Sequence, residues 1–395
     1  MYEPVIGLEI HVQLKTKSKM FCGCSAHEVN AAPNTNVCPV CLGQPGVLPV
    51  PNEQAIRFGV LMGLALNCSI AEHSKFDRKN YFYPDLPKAY QISQYDLPIA
   101  TTGVVQVGER RIRITRAHLE EDAAKSFHGS DGKTYVDFNR GGTPLVEIVT
   151  EPDFASPQEA KTFLQELRLI ARYLGVSDAD MEKGHLRCDA NISLRKRDKY
   201  GSVVGAEFNP KTEIKNLNSF RHVERALEYE IERQTRHWEE ESVPVAVSTT
   251  RGWDEGRQRT VEQRSKEEAA DYRYFPEPDI PALALAQMAE EIRHEIPELP
   301  AARRARFESE YALKPSDAKQ ICDDPALADF VERVFSELAA WFDATVEGGV
   351  EGEAYEKQKA VLGRLVSGWL LSKLTGIMGE RGIDIRTSKI TPEML

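Results

Sequence analysis

Alternation dominates the first 150 residues of the chain. In VIGLEIHVQL, Leu8, Ile10, Val12 and Leu14 alternate with Glu9, His11 and Gln13. Successive strand side chains point to opposite faces, so this strand has one apolar face and one polar row. TGVVQVGERRIRITRAHLEED reads as two strands joined at Gly108-Glu109, and YVDFNRGGTPLVEIVTEPD as another pair turned at Gly141-Gly142. The period then becomes helical. Ser156 is a cap, Pro157 takes the first turn and Glu159 sits three residues after the cap. Phe163, Leu167, Ile170 and Leu174 form the apolar stripe, and Gly175 ends the helix. Strands follow at LRCDANISLR and KTEIKNL. A long helix begins near Ser219, with Phe220, Val223, Leu227 and Ile231 on one face.

DYRYFPEPDIP, aromatic and Pro-rich, reads as an ordered crossing and then a linker. From roughly Leu283 the pattern is helical. Phe330, Val331, Val334, Phe335 and Leu338 make one stripe; Val361, Leu365, Trp369 and Leu370 begin another, with VEGGVEGEAYEKQ as a flexible acidic loop between them. TSKITPEML reads as a helix start, capped by Thr391 with Pro392 in its first position, so a further C-terminal domain is expected after residue 395. The fold expected is α+β. A large, mainly antiparallel-sheet domain with helices covers about residues 1–290, and an all-helical domain covers 291–395.

A chain of 395 residues, 41% hydrophobic and 28% charged, fits two or three globular domains. No apolar run approaches the roughly 18 residues of a membrane span. There is no basic-then-apolar leader, and a cytoplasmic protein is expected. The net charge of −11 argues against a general nucleic-acid coat. Between Lys183 and Arg225, however, ten Lys/Arg face five Asp/Glu. That local excess is open to two readings, an ordinary solvated surface or a face for one defined nucleic acid.

Cys68, Cys188 and Cys322 are isolated, whereas Cys22, Cys24, Cys38 and Cys41 form CGC…CPVC. Two close pairs around a short Asn/Ala/Pro-rich loop suit a tetrahedral zinc, within an insertion at about residues 20–43. Four protein ligands leave no open position, so the zinc would be structural.

The chain has no GxxxxGK[ST], GxGxxG, GxSxG or HExxH sequence. What remains is carboxylates set within strands. In ITRAHLEED, His118, Glu120 and Asp122 share a face, with Leu119 and Glu121 on the other; in PLVEIVTEPD, Glu147 and Glu151 share a face. Each strand alone fits a solvated face. Converging, Glu9, His11, Glu120 and Glu147 would hold a hard divalent ion such as Mg²⁺. KFDRKNYFYPDLPKAYQISQYDLPI mixes Lys75, Arg78, Lys79 and Lys88 with Phe76, Tyr81, Phe82, Tyr83, Tyr90 and Tyr95. Such a segment either binds phosphate and stacks a base or is a packed surface loop.

VIGLEIHVQL, KFDRKNYFYPDLPKAYQISQYD, HLEEDAAKS, NRGGTPLVEIVTEPD, LRCDANISLR, TEIKNLNSF and DYRYFPEPDIP, in that order, closely resemble the B subunit of the tRNA-dependent amidotransferases. The resemblance runs from residue 4 to the C-terminus. It implies a cradle domain, a helical domain and a tail domain that helps to hold tRNA. The implied reaction converts Glu-tRNA(Gln) to Gln-tRNA(Gln), or Asp-tRNA(Asn) to Asn-tRNA(Asn). ATP phosphorylates the side-chain carboxylate and ammonia displaces the phosphate. The implied partners are an amidase (A) subunit that supplies ammonia through a channel, a small C subunit, the misacylated tRNA and a non-discriminating aminoacyl-tRNA synthetase. By the same resemblance His11, Glu120 and Glu147 would bind Mg²⁺ with Glu9 beside them. Lys79 and Lys88 would supply cations, and Tyr81 and Tyr83 would line the nucleotide pocket or channel mouth. Glu120 or Glu121 would take a proton from ammonium. Arg187, Asp189 and Asn191 are further site candidates, and the four cysteines carry over as the zinc site. The rival readings are a tRNA-binding scaffold without chemistry and a metal hydrolase built on Glu9 and His11.

Overall fold

The computed structural model describes residues 1–26, 31–265, 271–345 and 353–394, which divide into two compact units, Met1–Ile296 and Pro297–Leu395. Residues 27–30 of the loop between the cysteine pairs and 346–352 of the acidic loop lie outside them.

The first unit is built on a 10-stranded sheet. Its strands are β1 (Tyr2–Gln13), β2 (Ser69–Ile70), β3 (Ala100–Val107), β4 (Arg110–Glu121), β5 (Pro144–Thr150), β6 (Leu186–Arg197), β7 (Val203–Val204), β8 (Thr212–Leu217), β9 (Thr249–Asp254) and β10 (Arg259–Ser265). Their order is β10-β9-β8-β6-β1-β5-β4-β3-β2, with β7 beside β6. Every pairing is antiparallel except β8 with β9. The strand with the polar row is therefore central. On its other face Leu8, Ile10 and Val12 are buried, and the register sets Ala190, Ile148 and Val146 beside them. Helices α1 (Glu53–Ala65), α2 (Pro157–Tyr173) and α3 (Phe220–Glu241) belong to this layer: α1 packs on β4, α3 on β6, and α2 on α3. The caps follow the sequence expectation. Ser156 Oγ accepts from the Glu159 N–H and Ser219 Oγ from the His222 N–H, while Gly175 turns left-handed at φ +67°.

One expected pairing is corrected. Gly141-Gly142 does turn the chain, with Gly142 at φ +88°, but it does not join a hairpin. Thr134–Asp137 pairs with Lys125–His128, whereas β5 lies between β1 and β4. Alternation marks a strand without specifying its partner.

Five of the ten cations in the basic segment are paired with carboxylates inside it or in neighbouring elements. Arg195 and Arg197 share Glu3, Lys215 meets Asp189 and Glu213, Arg187 meets Asp122, and Lys183 meets Asp180. Hydrogen bonds from Arg195 and Arg197 at 2.6 and 2.5 Å pull the Glu3 carboxyl from the ordinary 4.5 to about 2. A depressed carboxylate stabilises the fold above its unfolded value and loses that contribution as pH falls toward the folded one. Glu3→Gln is therefore expected to flatten the fall in thermal stability between about pH 4.5 and 2, by about 1 kcal/mol after solvent screening. Parallel melting curves for wild type and variant across that window would overturn this.

α4 (Ala286–Arg293) closes the first unit. The second is helical: α5 (Pro300–Glu310), α6 (Pro315–Cys322), α7 (Pro325–Thr345), α8 (Glu353–Trp369) and α9 (Thr375–Arg381). The first three begin with proline, whose missing N–H costs nothing there. Phe330, Val331, Val334 and Phe335 are buried with Phe307, Ile321, Leu370 and Leu374, and Leu338 packs at the edge. The second expected stripe is corrected. Val361, Leu365 and Trp369 are 54%, 64% and 46% exposed, and only Leu370 reaches the core. The inward face lies to one side of that stripe: Gly363, Ser367, Leu370 and Leu374 are buried, with Gly363 close against the Tyr311 carbonyl, and Leu370–Leu374 is a π-helical turn that continues this face. Residues Pro392–Met394 form a short 3₁₀ turn after Thr391.

Candidate active site on the polar face of the sheet

Opposite residues in antiparallel strands share a face, so register alone decides which polar side chains meet. Across β6-β1-β5-β4 one row reads Arg187, His11, Glu147, His118. Two residues along, Asp189 stands opposite Glu9, and Glu120 lies two beyond His118. His11 Nε2 is 3.3 Å from Glu120 Oε1 and 3.4 Å from Glu147 Oε2. His118 Nε2 is 3.3 Å from the same Glu147 oxygen, and Arg116 lies 3.8 Å from the other. Ser93 Oγ donates to Glu120 at 3.4 Å. Glu120, Glu147 and His118 are buried, and His11 and Glu9 are half-buried.

The electrostatics follow from this crowding. Burial works against both carboxylates, yet His11 holds Glu120 below the usual carboxylate range, and His118 with His11 holds Glu147 well below it. Burial also opposes charge on His11, but Glu120 and Glu147 push it up to about 10. Glu9 is raised, by burial and by Glu147. The Lys79 ammonium lies over the Tyr272 ring at 5.0 Å and in the field of Glu120 and Glu147, which raises it against its burial.

Two overlapping triads, Glu9/His11/Glu147 and His118/Glu120/Glu147, bring their ligand atoms within 4.8 Å of one another. Carboxylates with imidazole nitrogen suit a divalent cation, and Glu147 belongs to both sets. Sequence reasoning omitted His118 from the site, although it sits on the face of Glu120. Glu121 lies apart from Glu120: its carboxylate pairs with Lys88 and accepts from the Ile92 N–H at 3.0 Å. Arg187 donates to Asp122 at 2.7 Å and Lys215 to Asp189 at 2.5 Å, so both extend the charged belt. Asn191 is opposite Gly7, at the middle of β1 and two residues beyond the Asp189–Glu9 pair.

The aromatic segment is partly wall and partly surface. Tyr81 donates to Gln91 at 3.2 Å and meets Tyr272 edge-on at 5.9 Å, while Phe82 and Tyr83 are exposed. Tyr272 and Tyr274 escaped the sequence reading because they lie far along the chain. They are brought in where Phe275–Pro276 pairs with Asp77–Asn80, and the Asn80 N–H donates to Tyr272 O at 2.9 Å. Arg78 clamps Glu277 through two bonds of 2.6 and 2.8 Å, with the Glu277 side chain buried. Removing one partner of a buried pair strands the other charge. Glu277→Ala is expected to cost about 3–5 kcal/mol in denaturant unfolding of the chain. A cost below about 1 kcal/mol would show the clamp to be solvated.

Cys22, Cys24, Cys38 and Cys41 bring their sulfurs within 4.8 Å of one another, and no disulfide joins them. A hydrogen bond from Cys22, with help from Lys19, lowers the Cys41 thiol to about 4, while burial raises Cys24 to about 11. The Cys38 N–H points at Cys41 Sγ at 3.2 Å. This donor set fits a tetrathiolate metal, with one sulfur already favoured as thiolate. Behind it, Gly43 approaches Lys88 so closely that a Cβ would sit 2.4 Å from Lys88 Cγ. The isolated Cys68, Cys188 and Cys322 are buried.

Residues 4–291 match the family model of the GatB/GatE catalytic domain, and the chain belongs to that family. A Thermotoga maritima protein, named as the B subunit of aspartyl/glutamyl-tRNA(Asn/Gln) amidotransferase, is 50% identical over 99% of this chain and 77% of its own length. Proteins of the same name from Thermus thermophilus and Thermomicrobium roseum are 47% and 50% identical, over 100% of this chain and 78% and 77% of theirs. Among the described residues no helix is long and apolar enough to cross a membrane.

Proposed function

We propose that this chain is the amide-forming subunit of a tRNA-dependent amidotransferase. It phosphorylates the side-chain carboxylate of Glu-tRNA(Gln) or Asp-tRNA(Asn) with ATP and then joins ammonia to it. The observation that carries the reading is the buried Glu147 of β5, set between two imidazoles and beside Glu120 on the polar face of the sheet. The family's named relatives support the reaction class.

His11, Glu120 and Glu147 would hold Mg²⁺, with Glu9 and His118 beside them. The chemistry such an ion supplies when bound is charge neutralisation at the phosphates of ATP. Lys79, half-buried between the tyrosines and the carboxylates, adds fixed positive charge where phosphoryl charge develops. Tyr81, Tyr272 and Tyr274 exclude water from that side. Of the two carboxylates that can take a proton from ammonium, Glu120 faces the cluster, whereas Glu121 is already engaged by Lys88 and Ile92. Arg187, Asp189 and Asn191 orient substrate from β6, the exposed Tyr83 lines the nucleotide pocket or channel mouth, and Lys88, held by Glu121, adds a second cation. The four cysteines would hold a structural Zn²⁺. The cradle spans about residues 1–290 and the helical domain about 291–395. An amidase subunit supplies ammonia, a small C subunit completes the assembly, a non-discriminating synthetase supplies misacylated tRNA, and the complex works in the cytoplasm.

The test is amidation by the partner complex with ammonium chloride in place of glutamine. Gln-tRNA(Gln) or Asn-tRNA(Asn) is expected to form with Mg·ATP and not without it. Turnover without ATP or tRNA would favour the hydrolase reading. Binding of tRNA with no ammonium-driven product would favour the scaffold.

A further inference from the structure

Lys19 is among the largest fully buried side chains of the chain, with 0% of its surface exposed. Burying an ammonium is costly unless a counter-charge repays the lost hydration. Yet its Nζ meets two carbonyls, Asn36 O at 2.9 Å and Phe138 O at 3.5 Å, and one sulfur, Cys41 Sγ at 3.7 Å. No carboxylate pairs with it among the described residues. The carbonyls solvate the ammonium without neutralising it, and the cysteine cluster is the remaining contact able to carry negative charge. A divalent ion held by four thiolates has two net negative charges. The buried cation and the anionic cluster would therefore each supply what the other lacks.

The local chain supports this pairing. The Lys19 N–H donates to Cys24 O at 2.8 Å, on the first cysteine arm. Its ammonium reaches Asn36 O and Cys41 Sγ, on the second. Gly142, whose Cβ would lie 3.4 Å from Lys19 Cδ and 3.7 Å from Cys41 Cβ, leaves room for the side chain to run alongside the cluster. One residue thus ties both ligand arms together and places its charge against the more buried of them.

We propose that Lys19 is the charge-compensating residue of the four-cysteine metal centre, its buried ammonium donating to the Cys41 thiolate and strengthening the hold on the metal. The inference rests on the zinc reading above. It assigns Lys19 a positioning role and no contact with the reacting atoms.

The test is Lys19→Met, which keeps the length and apolar stem of the side chain and removes the charge. Zinc affinity is measured on the full chain by competition with a chelator of known affinity. Wild type should hold one zinc per chain, and the variant should bind it about 10–100-fold more weakly. Affinity within twofold of wild type overturns the role of Lys19 while leaving the zinc site standing. A wild type that binds no zinc overturns the zinc reading and this inference with it. A second comparison separates charge from shape and serves if the single variant does not fold. With Cys22, Cys24, Cys38 and Cys41 all changed to Ser, the cluster is neutral. Lys19→Met should then leave the melting temperature unchanged or raise it, because an uncompensated ammonium has gone. An equal drop in both backgrounds, or failure to fold in both, would mean that Lys19 acts by packing alone.

Discussion

Glu147→Gln should lower ammonium-driven amidation by the partner complex about 10³-fold in kcat/KM, with tRNA affinity unchanged. Glu147 is the one residue shared by the two triads whose ligand atoms converge, and it faces both imidazoles. Glutamine preserves its shape and removes the charge. His11 and His118 then lose a common counter-charge, and an amide N–H that can only donate is turned toward them or toward the cation. The same change at a carboxylate serving only one triad, Glu9, should be milder. Parallel tRNA-binding isotherms separate a chemical defect from a binding defect, and a melting curve checks the fold. Activity within threefold of wild type would sink the assignment and leave the chain as a scaffold.

Loss of the metal from the cysteine centre is the second large effect. Cys41→Ser removes the ligand that accepts from the Cys38 N–H and meets Lys19. A structural zinc contributes roughly 10–16 kcal/mol to a small metal-dependent module, so the segment around the cysteines should open while the sheet persists. Its far side rests on Lys88, which in turn holds Glu121. Zinc content should fall to zero, new protease cleavage should appear between residues 31 and 43, and amidation should drop at least about tenfold. Zinc added to chelated wild type should reverse all three. An intact proteolytic pattern after complete zinc removal would show that packing alone holds the segment.

The central strand was legible from Leu8 to Gln13 because a period of two needs only a few residues. Its neighbours were not. That His11 meets Glu147 rather than Glu151 depends on the β1–β5 register, which joins residues far apart in the chain and leaves no mark on either strand. His118 was visible on the right face but lacked a reason to be chosen until Glu147 stood 3.3 Å away. Tyr272 and Tyr274 sit in a segment that sequence could mark only as aromatic and ordered. The four cysteines were readable because their ligand spacing is local. The second helical stripe failed because the inward face of that helix is begun by Gly363 and Ser367, which carry no large apolar side chain for a hydrophobic period to mark.

The position of β1 sets the order in which the site can come into being. Residues 2–13 leave the ribosome well before their partners, which are residues 145–149 on one side and 186–196 on the other. At ordinary elongation rates the gap to the first of them lasts roughly seven to thirty seconds. Throughout it the strand that carries Glu9 and His11 has neither neighbour, and its apolar edge is open to any passing β-strand. The charged groups that later face the cleft are then its main protection against aggregation. The nascent chain should accordingly depend on chaperones until β6 has been made, and a short aggregation-prone extension ahead of Tyr2 should reduce soluble yield more than the same extension at the other end.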